Sequence, residues 1–94
     1  MARVKIAYFA SLAELTGVKE EEIEVEDGTT LAKLLAKVLP SRHPGLKGFL
    51  EEAISRGRYL LVVNGNSHAS LSNGLSYELK DGDVISIFPP LGGG

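Results

Sequence analysis

Three consecutive glycines, Gly92, Gly93 and Gly94, follow Pro89-Pro90-Leu91 and offer a single reactive group, a carboxylate on a thread without side chains. Glycine has no Cβ, so such a thread enters a channel too narrow for substituted residues. The two prolines fix φ and aim the thread away from whatever precedes it. A carboxylate acylates nothing until it is activated. Adenylation turns it into an acyl phosphate anhydride with a good leaving group, open to attack by a sulfur or an amine nucleophile. The chain is then a substrate, and the enzyme is its partner. The bland reading of the same residues is a frayed terminus.

Other chemistries find little support. His43 and His68 lie far apart, with no cysteine and no histidine at i+4, and read as polar loop residues rather than metal ligands. Asp81-Gly82-Asp83 reads as a turn, because the spaced oxygen ligands and distal Glu of a calcium loop are missing. No serine sits in a Gly-x-Ser-x-Gly elbow, and no phosphate-cradling glycine loop is followed by Lys-Ser or Lys-Thr. The expectation is a chain that binds no cofactor or metal itself. Glu20, Glu21, Glu22, Glu24, Glu26 and Asp27 read as a solvated strand face that discourages edge pairing, with docking on a basic partner as the second reading.

The 94 residues fit one domain with a modest core, expected over residues 1–90, with 91–94 as a flexible tail. Zero cysteines exclude a disulfide frame, a thiolate metal site and a cysteine nucleophile. No apolar run approaches a membrane span, and the first residues lack the apolar core of a signal peptide, so a cytoplasmic protein without membrane partners is expected. A net charge of -2 gives no electrostatic case for nucleic acid.

The elements that must position the tail follow from periodicity. Residues 3–9 alternate, with Val4, Ile6 and Tyr8 on one face, as in a half-buried strand. Ser11 to Gly17 suits a short helical turn. Ile23 and Val25 between Glu22, Glu24 and Glu26 make a second strand, and Thr29 or Thr30 caps the helix that follows. Leu31, Leu34, Leu35, Val38 and Leu39 form its apolar stripe, and Pro40 is expected to stop it. Leu46, Phe49, Leu50, Ala53 and Ile54 mark another helix, opened by Pro44 and closed by Gly57. Tyr59 to Val63 reads as a strand buried on both faces at the middle of the sheet, turning at Asn64-Gly65. Ser67 to Ser76 gives only a short strand or loop anchored by Leu71 and Leu75. Val84 to Phe88 is the last strand. The order predicts an α+β fold, a mixed sheet of about five strands with helices on one face, and the first and last strands side by side and parallel at its centre.

Over essentially its whole length the chain resembles the MoaD family of sulfur carriers, ubiquitin-like β-grasp proteins that form the small subunit of molybdopterin synthase. The most specific segments are Leu79-Lys80-Asp81-Gly82-Asp83-Val84 and Phe88-Pro89-Pro90-Leu91-Gly92-Gly93-Gly94; Phe9-Ala10, Leu12 to Gly17 and Gly28-Thr29-Thr30-Leu31 agree as well. Asn66 to Ser76 match the family loosely. The resemblance implies that a MoeB-like adenylating enzyme of the ubiquitin-activating type activates Gly94 with ATP. Sulfur transfer then forms a thiocarboxylate, whose sulfur passes to a pterin precursor in the MoaE-like large subunit on the way to the molybdenum or tungsten cofactor. Such a chain is a cosubstrate and small subunit, not a catalyst alone. Phe88, Pro89, Pro90, Leu91, Gly92 and Gly93 are then the partner-binding residues, although Phe88 reads equally well as strand-end core. A ubiquitin-like modifier joined through Gly94 to lysines of other proteins is the alternative. A ThiS-type carrier, in which the second helix would be an insertion, and a non-covalent module rank below it.

Overall fold

A computed structural model of the chain describes residues 1–48, 50–67 and 74–89. Its strands are β1 (Ala2–Tyr8), β2 (Glu20–Val25), β3 (Leu60–Val63), β4 (Asn66–Ser67) and β5 (Val84–Phe88), joined into one sheet of order β2-β1-β5-β3-β4. β1 and β5 are parallel, with Tyr8 opposite Ile87, and β3 runs antiparallel to β5, with Leu60 opposite Phe88. The parallel first and last strands thus lie inside the sheet as expected. β5, not β3, is its middle strand. β3 is buried on one face alone, because Leu61 and Val63 turn to the core while Leu60 stays 46% exposed.

One face of the sheet carries Val4, Ile6, Tyr8, Ile23, Val25, Leu61, Val63, Ile85 and Ile87, all buried against the helices. Helix α1 (Ser11–Thr16) ends at Gly17, whose φ of 81° is left-handed. Helix α2 (Leu31–Lys33) opens under Thr30, whose hydroxyl accepts the Lys33 N–H at 3.2 Å; Thr29 instead donates its hydroxyl to the Glu26 carbonyl. The helical run does not stop at Pro40. It passes through a π segment, Leu34–Val38, into helix α3 (Leu39–Arg42), and the Leu39 N–H donates to the Leu34 carbonyl five residues back. A proline ring would strike the carbonyl four residues earlier in a regular helix, and the wider π turn just before it accommodates the ring.

The next helix is shorter than its apolar stripe predicts. Pro44–Leu46 form a single 3-10 turn, and Gly48, at a φ of 87°, breaks the path before helix α4 (Leu50–Ser55). Leu46, Leu50 and Ile54 nonetheless reach the core; Phe49 and Leu71 lie outside the described residues. Ahead of β5 lies a 3-10 turn, Gly74–Ser76, where Leu75 packs on the core.

Asp81-Gly82-Asp83 is the expected turn, with Asp83 almost wholly buried. Its carboxylate accepts the Asn64 side-chain N–H, the Tyr77 hydroxyl and the Lys80 N–H at 2.8 to 2.9 Å. Burial, reinforced by that carboxylate, raises the Tyr77 hydroxyl above its ordinary range. Asn64 also accepts the Val84 N–H, so the end of β3 is clasped to the start of β5. This clasp sets the register that delivers Phe88 and Pro89 to the far end of the sheet.

Candidate functional site

Of the residues expected to carry function, the structure places Phe88 and Pro89; Pro90, Leu91, Gly92, Gly93 and Gly94 lie outside the described residues, as does His68. Alternation along β5 buries Ile85 and Ile87 and turns Val84, Ser86 and Phe88 to the outer face. Phe88 is therefore not core. It is half-buried on the surface, stacked on Phe9 with ring centroids 4.2 Å apart and planes 18° from parallel. Across the other edge of β5 its register partner is the exposed Leu60. Phe9, Phe88 and Leu60 make an apolar surface at the end of the sheet where β5 runs into Pro89.

The outer face is divided. Over β3 and β5 it presents Leu60, Val62, Val84 and Phe88, whereas over β1 and β2 it carries cross-strand ion pairs, Lys5 with Glu20 and Arg3 with Glu24, at 3.4 and 3.8 Å. Both pairs are exposed and contribute little stability. A depression of about 510 Å³ between Met1, Arg3, Glu24 and Asp81 lies at the opposite end of the strands.

Phe9 is a functional candidate that sequence patterning passed over, although its signal was present. Alternation with the inward Tyr8 turns it outward, and a large aromatic on a polar face requires a use. Its backbone is fixed on both sides. The Phe9 N–H donates to the Ile87 carbonyl at 3.2 Å, and Ala10, the N-cap of α1, sits at φ 52° and ψ -127°. That region suits glycine and costs a substituted residue on the order of 1–3 kcal/mol. Its immediate effect is to end β1 sharply and hold Phe9 over Phe88.

Behind this surface, on the helix side, the structure builds a second cluster. Glu21 does not join the solvated acidic face of Glu20, Glu22 and Glu24: it points to the helices, with its side chain 13% exposed. One carboxylate oxygen accepts the Tyr8 hydroxyl and the His43 Nε2–H, each at 2.6 Å, and the other accepts the Arg42 guanidinium at 3.0 Å. The His43 ring meets Tyr8 edge-on at 5.7 Å. His43 is thus a loop residue by position and a half-buried ligand of Glu21 by contact. Burial alone would raise the Glu21 carboxyl, but donation from Tyr8, His43 and Arg42 outweighs it and holds the group below its ordinary range. Burial, and then the Glu21 charge, push the Tyr8 hydroxyl well above its ordinary range. A carboxylate already accepting three donors is a fastening rather than a base. It pins the end of α3 to β1 and β2 beneath the aromatic surface.

Among the described residues no group of three or more His, Asp or Glu is placed to hold a metal ion, and no helix is long and apolar enough to cross a membrane.

Comparison with known proteins places this arrangement. The model of the ThiS family matches residues 6–94. The molybdopterin synthase sulfur carrier subunit of Chlamydomonas reinhardtii is 33% identical, over 98% of this chain and 99% of its own length. Its counterpart from Homo sapiens is also 33% identical, over 100% and 97%. Small archaeal modifier protein 3 of Haloferax volcanii is 30% identical, over 97% and 98%. Among solved structures, a putative molybdopterin converting factor subunit 1 from Pyrococcus furiosus superposes with a TM-score of 0.72 at 31% identity, covering 97% of this chain and 100% of that one. A complex of subunits 1 and 2 of the molybdopterin-converting factor from Helicobacter pylori matches with a TM-score of 0.59 at 28% identity, over 98% and 99%. These likenesses carry the ubiquitin-like β-grasp architecture.

Proposed function

This chain belongs to the ThiS family, of MoaD-like β-grasp proteins, and from that premise we propose that it is a sulfur carrier, the small subunit of a molybdopterin synthase. The observation that carries the reading is full-length similarity to sulfur carrier subunits from an alga and from human. The Phe9–Phe88 surface supports it, because an apolar platform at the strand end is where a partner must grip if the residues beyond Pro89 are to enter its site.

In this reading a MoeB-like partner binds ATP, and a Gly94 carboxylate oxygen attacks the α-phosphorus, releasing pyrophosphate. Sulfide from a sulfur donor then attacks the acyl carbon, AMP leaves, and a terminal thiocarboxylate remains. A MoaE-like large subunit draws that sulfur into a pterin precursor of the molybdenum or tungsten cofactor, and hydrolysis returns Gly94 to a carboxylate. Phe88, Pro89, Pro90, Leu91, Gly92 and Gly93 bind the partner and thread the tail. The chain supplies position, and its partners supply catalysis and hold the ATP, in the cytoplasm. The complex of the Helicobacter pylori subunits supports a two-subunit assembly of this kind.

Similarity to a small archaeal modifier protein favours a second reading, in which a lysine amine takes the same acyl adenylate and Gly94 ends in an isopeptide bond. Intact-mass analysis of the protein from its native cells, with sequencing of the C-terminal peptide, separates the two. Replacement of one oxygen by sulfur on Gly94 is the expected result. Branched peptides on target lysines would establish the modifier instead, and neither species in cells making the cofactor would overturn both.

A further inference from the structure

Near the end of the sheet that bears Phe88 stands a charge that no described residue compensates. Of its four arginines, Arg3, Arg42 and Arg56 meet Glu24, Glu21 and Glu52, at 3.8, 3.0 and 3.1 Å. Arg58 is exposed, and its guanidinium has no ion pair or hydrogen bond with any described residue. In a chain with 12 acidic and 10 basic residues, it is the one arginine without an acidic partner among the described residues.

Arg58 stands two residues before Leu60, the register partner of Phe88. Its backbone is anchored, since the Arg58 main-chain N–H donates to the Ala53 carbonyl at 2.7 Å after the left-handed Gly57. Together with Ala53, Arg56, Tyr59 and Glu52 it lines an open cleft of about 320 Å³. Glu52, the acidic group there, is paired with Arg56.

We propose that Arg58 and this cleft extend the aromatic surface and receive an acidic side chain of the partner protein, an Asp or Glu on a segment that docks over Leu60 and Phe88. The inference rests on the carrier reading, in which a partner grips this end of the sheet. A guanidinium presents a planar fork that matches a carboxylate, and Arg, Tyr and Phe are the residues that interfaces favour. A phosphate fits less well, because the N–H groups of Gly57, Arg58 and Tyr59 already donate within the chain and leave no backbone cradle. A charge beside an apolar centre steers encounter and fixes register.

The test is stopped-flow association of the full chain with the MoaE-like large subunit over a range of salt concentrations, for wild type, Arg58→Ala, Arg58→Glu, Arg58→Lys and, as a control of equal charge change, Arg3→Ala. Arg58→Ala should slow association by about three- to tenfold at low salt and flatten its salt dependence, with Arg58→Glu slower still and Arg58→Lys between. Equal rates for Arg58→Ala and Arg3→Ala would overturn the proposal. If the wild-type chain does not bind that subunit, the carrier reading fails, and the cleft is judged by NMR. A titration with a short Asp/Glu peptide should then shift the Arg58 Nε and Tyr59 N–H signals before those of Arg3, and an equal response of all arginines would overturn it. So would movement of the Arg58 signal on deleting Gly93-Gly94 in the free protein, which would mean that the chain's own carboxylate occupies the fork.

Discussion

Phe9 and Phe88 stack at 4.2 Å across the parallel pair β1 and β5, one ring from the last turn of β1 into α1 and the other from the last residue of β5. Both are outward residues beside buried ones, so neither ring is required by the core. Such a pair contributes about 0.5–1.5 kcal/mol beyond its buried area. Phe88→Ala forfeits that pair and the area a half-buried ring covers, so it should lower unfolding stability by about 1–3 kcal/mol, yet weaken partner binding tenfold or more if the pair is the centre of the docking surface. Chemical denaturation and calorimetric titration with the large subunit measure the two effects separately. Loss of stability without loss of affinity would return Phe88 to a structural role.

Ala10 gives the opposite sign. At φ 52° and ψ -127° it holds a conformation open to glycine, so Ala10→Gly should relieve strain that exceeds the entropy glycine brings to the unfolded chain. The expected outcome is a gain of up to about 1 kcal/mol, read as a higher melting temperature. If the strain serves to aim Phe9, partner affinity should fall in the same variant. A variant that melts lower would show that the turn is unstrained.

Much of this architecture was legible because burial imposes a period. Val4, Ile6 and Tyr8 announced β1, and Leu31, Leu34, Leu35 and Leu39 announced the long helical run. Patterning failed where one residue's local preference met a tertiary constraint. Pro40 was expected to end the run, but the π segment makes room for its ring. Gly48 hid a break inside an apolar stripe, and Glu21 hid among solvated glutamates because period and charge gave contrary signals. In Tyr59 to Val63 a continuous apolar run disguised a strand whose Leu60 is kept outside, where it flanks Phe88. Of the candidate site, Phe88 and Pro89 are legible in the C-terminal motif, whereas Phe9 meets Phe88 only through the pairing of β1 with β5.

Glu21 predicts a definite dependence on pH. Its carboxyl is held below the ordinary range in the folded protein, so its contribution is complete above the unfolded value of about 4.3 and is lost as pH falls through the folded value. Wild-type stability should decline more steeply below about pH 4 than that of Glu21→Gln, which has no proton to take up there. At neutral pH Glu21→Gln should cost about 1–3 kcal/mol, since Tyr8, His43 and Arg42 lose a charged acceptor. Parallel acid limbs for the two proteins would remove Glu21 from the linkage.

Asp83 offers the sharpest separation between fold and surface. Its carboxylate accepts from Asn64, Tyr77 and Lys80 at the end of the sheet away from Phe88, and Asn64 is bonded in turn to Val84. Replacing it with alanine leaves buried donors without an acceptor and should cost about 2–3 kcal/mol. Asp83→Asn keeps the shape but places a second amide against the Asn64 N–H, so much of that loss should remain. The clasp fixes the register of β3 on β5, so the variants should also blur the pairing of Leu60 with Phe88. Amide exchange should then speed up at Leu61 and Ile87 as well as at Val84. Exchange confined to the turn would mean that the β3–β5 ladder holds its register without the clasp, and that Phe88 is positioned by the aromatic end alone.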